Sequence, residues 1–258
     1  MEARAFAYAQ ARPEKRLEAG MLVKALGWDV KQERKVLSRL ARKGLIVRVR
    51  RGLYLVPSTF PLGGRWSPGE FLALDTLMTD RGGRYQISGP STFHRYGWSE
   101  QVSNRIYAYN NRISGRRDLG IAALSLIKVA DDRLGGTELV RTPDGIVVVY
   151  ATKARSLVDA VRDHSHFDSL PRAYDWIGEE VKADEGFAAD LVQASLEFGN
   201  QATLRRIGAA LERFTVPDRL LQKIERALHA SSARIPWIPG RPKRGTSSRR
   251  WGIVFNDE

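Results

Sequence analysis

The sequence predicts a mixed α+β protein in two parts, a small basic N-terminal domain and a larger mixed α/β C-terminal domain. Three observations carry this. The first 55 residues alternate helix-like and strand-like patterns at short spacing. A stretch rich in Pro, Gly and Ser, "PSTFPLGGRWSP" (57–68), follows and reads as a linker. The net charge of +13 is also segregated: residues 1–65 hold 15 Lys/Arg against 5 Asp/Glu, residues 66–240 hold 22 of each, and residues 241–258 hold 5 against 2. The expected organisation is a first domain over 1–57, a linker over 58–68 and a second domain over 69–258.

"EARAFAYAQARPEKR" reads as a short helix with Ala5, Phe6 and Ala9 on one face, and Pro13 disfavours its continuation. "LEAGMLVKALG" (17–27) reads as a second helix with Leu22, Val23 and Leu26 on one side and Gly27 as C-cap. In "WDVKQERKVLSRLARKG", Asp29 is a good N-cap, Val36, Leu37 and Leu40 form one apolar face, and Gly44 stops the helix. "LIVRVRRGLYLV" then reads as two strands around an Arg-Arg-Gly turn. Helix, short helix, longer helix and β-hairpin within about 55 residues is the order of a winged helix-turn-helix.

The second domain opens with a helix over 69–80. A strand, a Ser-Gly-Pro turn and a helix capped near Pro90 and Ser91 follow over 84–98. Strands are expected at "NRIYAYNN" (104–111), "AALSLIKVA" and "GIVVVYAT", then a helix capped by Thr152. Residues 187–214 give two helices broken at Gly199-Asn200, and 217–230 a helix with Pro217 at its first position. The tail is loop and a last strand, "WGIVFN". There is no internal repeat.

The basic module points to an anionic partner; the bland alternative is a solubilising basic surface. On the third helix the apolar face must pack inward. That leaves Lys31, Gln32, Arg34, Lys35, Ser38, Arg39 and Arg42 outward, with only Glu33 interrupting the positive run. Gln can read adenine, Arg or Lys can read guanine, and the other cations touch phosphate. Four arginines crowd the hairpin: Arg48, Arg50, Arg51 and, just upstream, Arg42. Their repulsion makes sense if DNA phosphate is the missing counter-charge.

Catalytic patterns are sparse. There is no cysteine, hence no disulfide or thiolate site, and no stretch long and apolar enough for a transmembrane helix. The N-terminus is no secretory signal, and a cytoplasmic protein is expected. "DHSH" (163–166) lacks a helical partner for metal and reads as a helix-end loop. "PDGIVVVYATK" resembles a nuclease metal site with Ala151 where an acid is needed, which disfavours Mg²⁺. "SGPS" (88–91) has too few glycines for a phosphate loop and reads as a structural turn. No cofactor and no metal are expected.

Several landmarks resemble the AbiEi family of antitoxins, from abortive-infection toxin–antitoxin pairs. They are "RRGLYLVP" (50–57), "ISGPSTFHRYGW" (87–98), "ATKARSLVDAV" (151–161), "FGNQATLRRIGAALE" (198–212) and "RRWGIVFN" (249–256). The resemblance implies a non-enzymatic antitoxin whose winged helix binds inverted repeats of double-stranded operator DNA and represses its own operon. Its C-terminal domain would oppose a nucleotidyltransferase-like toxin, in such systems often without a stable complex, and no membrane is involved. The family's DNA-binding role maps onto Lys31, Gln32, Arg34, Lys35 and Arg39, with Arg48, Arg50 and Arg51 on the wing. It supplies no catalytic residue. Two alternatives stay open: a winged-helix regulator with a ligand-sensing body, and a nucleic-acid-modifying enzyme using acids such as Asp131, Asp132 and Asp144. The basic "RPKRGTSSRR" reads as a mobile surface loop or a second nucleic-acid contact, and two copies are expected to meet only on DNA.

Overall fold

The computed structural model describes residues 1–12, 14–59 and 64–257. Pro13 and residues 60–63 of the expected linker lie outside the described residues. The chain divides into two compact units. The first comprises Met1–Tyr85, Asn104–Val129 and Arg141–Val148, and the second Gln86–Ser103, Ala130–Val140 and Val149–Glu258.

The first unit begins α1 (Glu2–Gln10), β1 (Arg16–Glu18), α2 (Met21–Leu26), α3 (Val30–Arg42), β2 (Val47–Arg50), β3 (Leu53–Leu55). This is a winged helix with a three-stranded sheet in the order β1-β3-β2. Residues 16–18 form a strand where the sequence pattern suggests helix. Arg16, Leu17 and Glu18 pair antiparallel with Leu55, Tyr54 and Leu53. Three residues are too few to display a period of two, so tertiary pairing decides them. The helix starts only after Gly20, whose φ of 91° suits glycine.

Ala5, Phe6 and Ala9 of α1 meet Leu17, Leu22, Val36, Leu37 and Leu40 in one core. Burying each large aliphatic chain contributes about 1.5–3 kcal/mol before entropy is counted. The hairpin turns tightly at Arg51-Gly52, with Gly52 at φ 81°. A register shift between Arg48 and Arg50 marks a bulge in β2.

The chain continues through α4 (Glu70–Asp80), β4 (Tyr85–Ile87), α5 (Pro90–Arg95), β5 (Ile106–Asn110), β6 (Gly115–Leu119) and β7 (Ala122–Lys128). Within the first unit, β7 pairs parallel with β5 and antiparallel with β6. Ahead of α4, the Trp66 amide donates to the Gly44 carbonyl at 2.7 Å. The Ser67 hydroxyl accepts from the Ile121 amide at 2.8 Å.

Next come β8 (Thr137–Arg141), β9 (Val147–Ala151), α6 (Lys153–Arg162), α7 (His164–Phe167), α8 (Arg172–Ala183), α9 (Phe187–Phe198), α10 (Gln201–Arg213) and α11 (Asp218–Arg226). The chain closes with β10 (Ile235–Pro236), β11 (Ser247–Ser248) and β12 (Ile253–Val254), in the order β10-β12-β11. In the second unit Ile87 pairs parallel with Tyr150, and the helices pack around α6. Thr152 and Asn200 cap α6 and α10 with their side chains. Pro217 sits one residue earlier than expected, as the N-cap of α11. The Trp251 indole lies where a side chain on Gly208 of α10 would have to be, so α10 and the tail meet through that glycine.

The architecture is the mixed α+β fold the sequence predicts. Among the described residues no helix is long and apolar enough to cross a membrane.

Candidate nucleic-acid interface

The third helix is held at its start by a capping box. Asp29 Oδ1 accepts from the Gln32 amide at 2.7 Å, and Gln32 Oε1 accepts from the Asp29 amide at 3.2 Å. Gln32 therefore sits exposed at the first turn with its carbonyl oxygen engaged in the cap. Val36, Leu37 and Leu40 turn inward, and Lys31, Arg34, Lys35, Ser38 and Arg42 are exposed.

Glu33 does not interrupt the positive face. It is 3% exposed, and its two carboxylate oxygens accept from the Gly20 amide at 2.7 Å and the Leu22 amide at 2.9 Å. The acid satisfies orphan donors at the start of α2 and complements that helix's dipole. Its position on α3, three residues before Val36, puts it on the inward side.

Between α3 and the hairpin lies a concavity of about 560 Å³. Arg34, Ser38 and Arg42 line it from α3, and Arg48, Arg51 and Tyr54 from the hairpin. Among the described residues the Arg34, Arg42, Arg48 and Arg51 side chains make no ion pair. Unpaired guanidinium groups from two elements around one groove suit a phosphate backbone. Val30, 59% exposed, also lines the groove and offers an apolar surface at the helix N-terminus. A valine on the first residue after an N-cap is the only signal for it in the sequence.

The eight candidate residues separate on this geometry. Lys31, Arg34, Lys35, Arg48 and Arg51 make no ion pair among the described residues. Arg39 pairs with Glu2 at 3.5 Å, and the same acid receives Lys43. Hydrogen bonding from Lys43, with the charge of Arg39, holds the Glu2 carboxyl below the usual carboxylate range. Arg50 leaves the hairpin tip and forks onto Asp80, the last residue of α4. That fork keeps Asp80 below its ordinary range despite burial. Arg42, read as outward but given no role in DNA contact, does line the groove.

Charge follows the units more sharply than the sequence blocks. The first unit holds 23 of the 42 Lys/Arg and 10 of the 29 Asp/Glu, so it carries the whole +13 and the second unit is neutral. The sequence average over 66–240 hides this, because residues 104–129 hold five Lys/Arg and one Asp.

The remaining candidates have structural explanations. His164 and His166 lie in the four-residue α7, a short helix instead of the expected loop. Burial and the nearby Arg206 hold the His164 imidazole below its ordinary range. Gly89, at φ 61°, packs against the Phe167 ring so closely that a Cβ would stand 2.5 Å from it. Among the described residues no group of three His, Asp or Glu side chains is placed to hold a metal. Asp131 and Asp132 share one 3₁₀ turn. The basic tail is anchored: Arg250 reaches Glu212, Asp218 and Glu225 at 2.8–3.1 Å. Asn256 Nδ2 donates to the Ile238 and Pro242 carbonyls.

No curated protein matches the chain. The crystal structure of the RV2827C protein from Mycobacterium tuberculosis is similar at a TM-score of 0.59 and 14% identity, over 98% of this chain and 90% of that one. At that identity the likeness is one of fold alone. Residues 16–57 match a family described as "Transcriptional regulator, AbiEi antitoxin". The match runs from β1 through β3, the span that builds the groove, so it is the winged-helix module that is similar to this family.

Proposed function

We propose that the chain is a non-enzymatic, cytoplasmic antitoxin that also represses its own operon. Residues 1–57 bind inverted repeats in double-stranded operator DNA, and residues 69–258 oppose a nucleotidyltransferase-like toxin without a stable complex. The observation that carries the DNA half is the groove between α3 and the hairpin, lined by Arg34, Arg42, Arg48 and Arg51, none of which pairs with a carboxylate among the described residues. Lys31 and Lys35 extend the same sign along α3. Arg39 and Arg50 are second-rank contacts in this reading, because each already has an acid.

The test is fluorescence anisotropy with a duplex from the chain's own upstream region, at several salt concentrations. About five phosphate contacts give a slope of log K against log salt near −4 to −5. A slope near zero, or no binding at low salt, would sink the proposal. The toxin half is tested by co-expression with a neighbouring nucleotidyltransferase-like gene: rescue by the full chain and by 69–258 supports it, and growth arrest with both refutes it.

One observation favours a second reading, a regulator whose second unit binds a small anion. A cavity of about 340 Å³ is lined by Gln201, Ala202, Arg205, His229, Ser231 and Ile235. Thermal shift with a panel of anionic metabolites, lost on Arg205→Ala, would support it.

A further inference from the structure

We propose that the β6–β7 hairpin is a second DNA-contacting wing, with Ile121 at its tip meeting the sugar-phosphate wall of a groove and Arg65 binding an adjacent phosphate. The proposal rests on the DNA-binding reading of the winged helix and extends the footprint beyond it.

A second concavity, about 710 Å³, lies in the first unit. It shares Ala41, Arg42 and Arg48 with the groove between α3 and the first hairpin, so the two are continuous. Its far wall is Asp118, Leu119, Gly120 and Ile121 from β6 and the turn into β7. Its floor includes Arg65 and Trp66. Arg65 is exposed and makes no ion pair among the described residues. Asp118, the acid on this wall, is paired with Arg105 at 3.1 Å. The balance of the lining is therefore cationic, which excludes a basic partner and suits a polyanion.

Ile121 is 86% exposed, the most exposed large apolar side chain in the described structure. Its backbone is held nonetheless: the amide donates to Ser67 Oγ at 2.8 Å, and Gly120, at φ 71°, sits so close to Ser67 that a Cβ would meet Oγ at 2.3 Å. Ser67 follows Trp66, whose amide is bound to Gly44 at the end of α3. The tip is thus set in register with α3 by a short chain of hydrogen bonds. A rigidly presented apolar side chain flanked by arginine is how proteins press against or wedge into a DNA groove. Duplex DNA running along the first groove continues into the second without a change of sign in the protein's charge.

The experiment uses the full chain and two 40-bp duplexes, one from its own upstream region and one of unrelated sequence, with anisotropy across salt and hydroxyl-radical footprinting. Arg65→Ala should reduce the magnitude of the salt slope by about one. Ile121→Asp, which places a carboxylate against phosphate, should weaken binding by about tenfold or more and shorten the protected stretch at one edge. Ile121→Ala should weaken binding less and leave the slope unchanged. Unchanged melting temperatures identify these as contact effects, which the exposure of both residues favours.

Arg34→Ala with Arg48→Ala serves as the reference. If that pair lowers the slope while Arg65→Ala and Ile121→Asp change neither slope nor footprint, the second wing is refuted and the winged-helix reading stands. If the wild-type chain binds neither duplex, both fall together. If Ile121→Asp abolishes capture of a protein partner and leaves DNA binding intact, the hairpin is a protein-docking tip and the proposal is overturned.

Discussion

The Glu33 carboxylate accepts a hydrogen bond from the Leu22 amide at 2.9 Å, tying the third helix to the start of the second. The other oxygen holds Gly20. The only acid on the cationic stretch of α3 is therefore spent on the angle between two helices, and α3 shows its partner cations alone.

Glu33→Ala leaves two donors unpaired, one of them buried, and should cost about 3–6 kcal/mol, since each lost bond to a charged group is worth about 1.5–3. Glu33→Gln keeps one acceptor oxygen and should cost about half as much. Urea unfolding measures both. Equal stability of the wild type and the alanine variant would show that Glu33 does not organise the two helices.

Most of this fold was legible in the sequence where burial imposes a period. Val36, Leu37 and Leu40 locate α3, and Thr152 and Asn200 announce α6 and α10. The failures share one cause. At Arg16–Glu18 the strand is too short to carry a period. On β6, "GRRDL" is nearly all exposed, so no apolar alternation marks it. The site was legible in its charges but not in their pairing, because Asp80 stands 30 residues from Arg50 and Glu2 stands 37 from Arg39. Glu33 was legible only in hindsight, from its helical phase with Leu37 and Leu40.

Arg50 and Arg48 are neighbours in sequence on the same hairpin, and the structure separates them. Arg50→Ala should leave the salt slope of DNA binding nearly unchanged, while Arg48→Ala should lower its magnitude by about one. Asp80→Asn should free Arg50 and steepen the slope. Equal effects from Arg48→Ala and Arg50→Ala would mean that DNA pulls Arg50 off Asp80.

The same pair has a pH signature. Asp80 is depressed in the folded state, chiefly by hydrogen bonding from Arg50. A depressed acid contributes stability above its unfolded value, about 3.9, and that contribution is lost as pH falls through the folded value. Acid unfolding below about pH 4 should be less steep in Asp80→Asn than in the wild type, and the curves should run parallel above pH 5. Parallel curves at all pH values would contradict the pairing.

Arg155 and Asp159 form an ion pair on α6 with both side chains fully buried, at 2.9 Å. Arg155 also donates to the Arg133 and Gly135 carbonyls, and Ser88 donates to Asp159. Removing either partner strands the other in the core, which costs about 3–5 kcal/mol. Arg155→Met should therefore destabilise strongly, and adding Asp159→Leu should recover part of the loss. A double variant less stable than Arg155→Met alone would show that the carbonyl contacts, not the ion pair, dominate.

Arg250 draws Glu212, Asp218 and Glu225 together, so the basic tail has one anchored arginine and several exposed cations. Arg250 bonds are the largest cause holding Asp218 below its ordinary range. Arg250→Ala leaves three acids facing one another and removes the cation stacked over Trp251. Exposed pairs are individually weak, so the expected loss is about 1–2 kcal/mol, or a few degrees in Tm. Replacing Arg241, Lys243 and Arg244 with alanine should leave Tm unchanged, since none of them makes an ion pair among the described residues. If that triple variant also keeps the DNA salt slope, the tail is a stability element alone. If it lowers the slope by about three, the tail adds phosphate contacts of its own, and the neutral charge of the second unit conceals a local cationic edge.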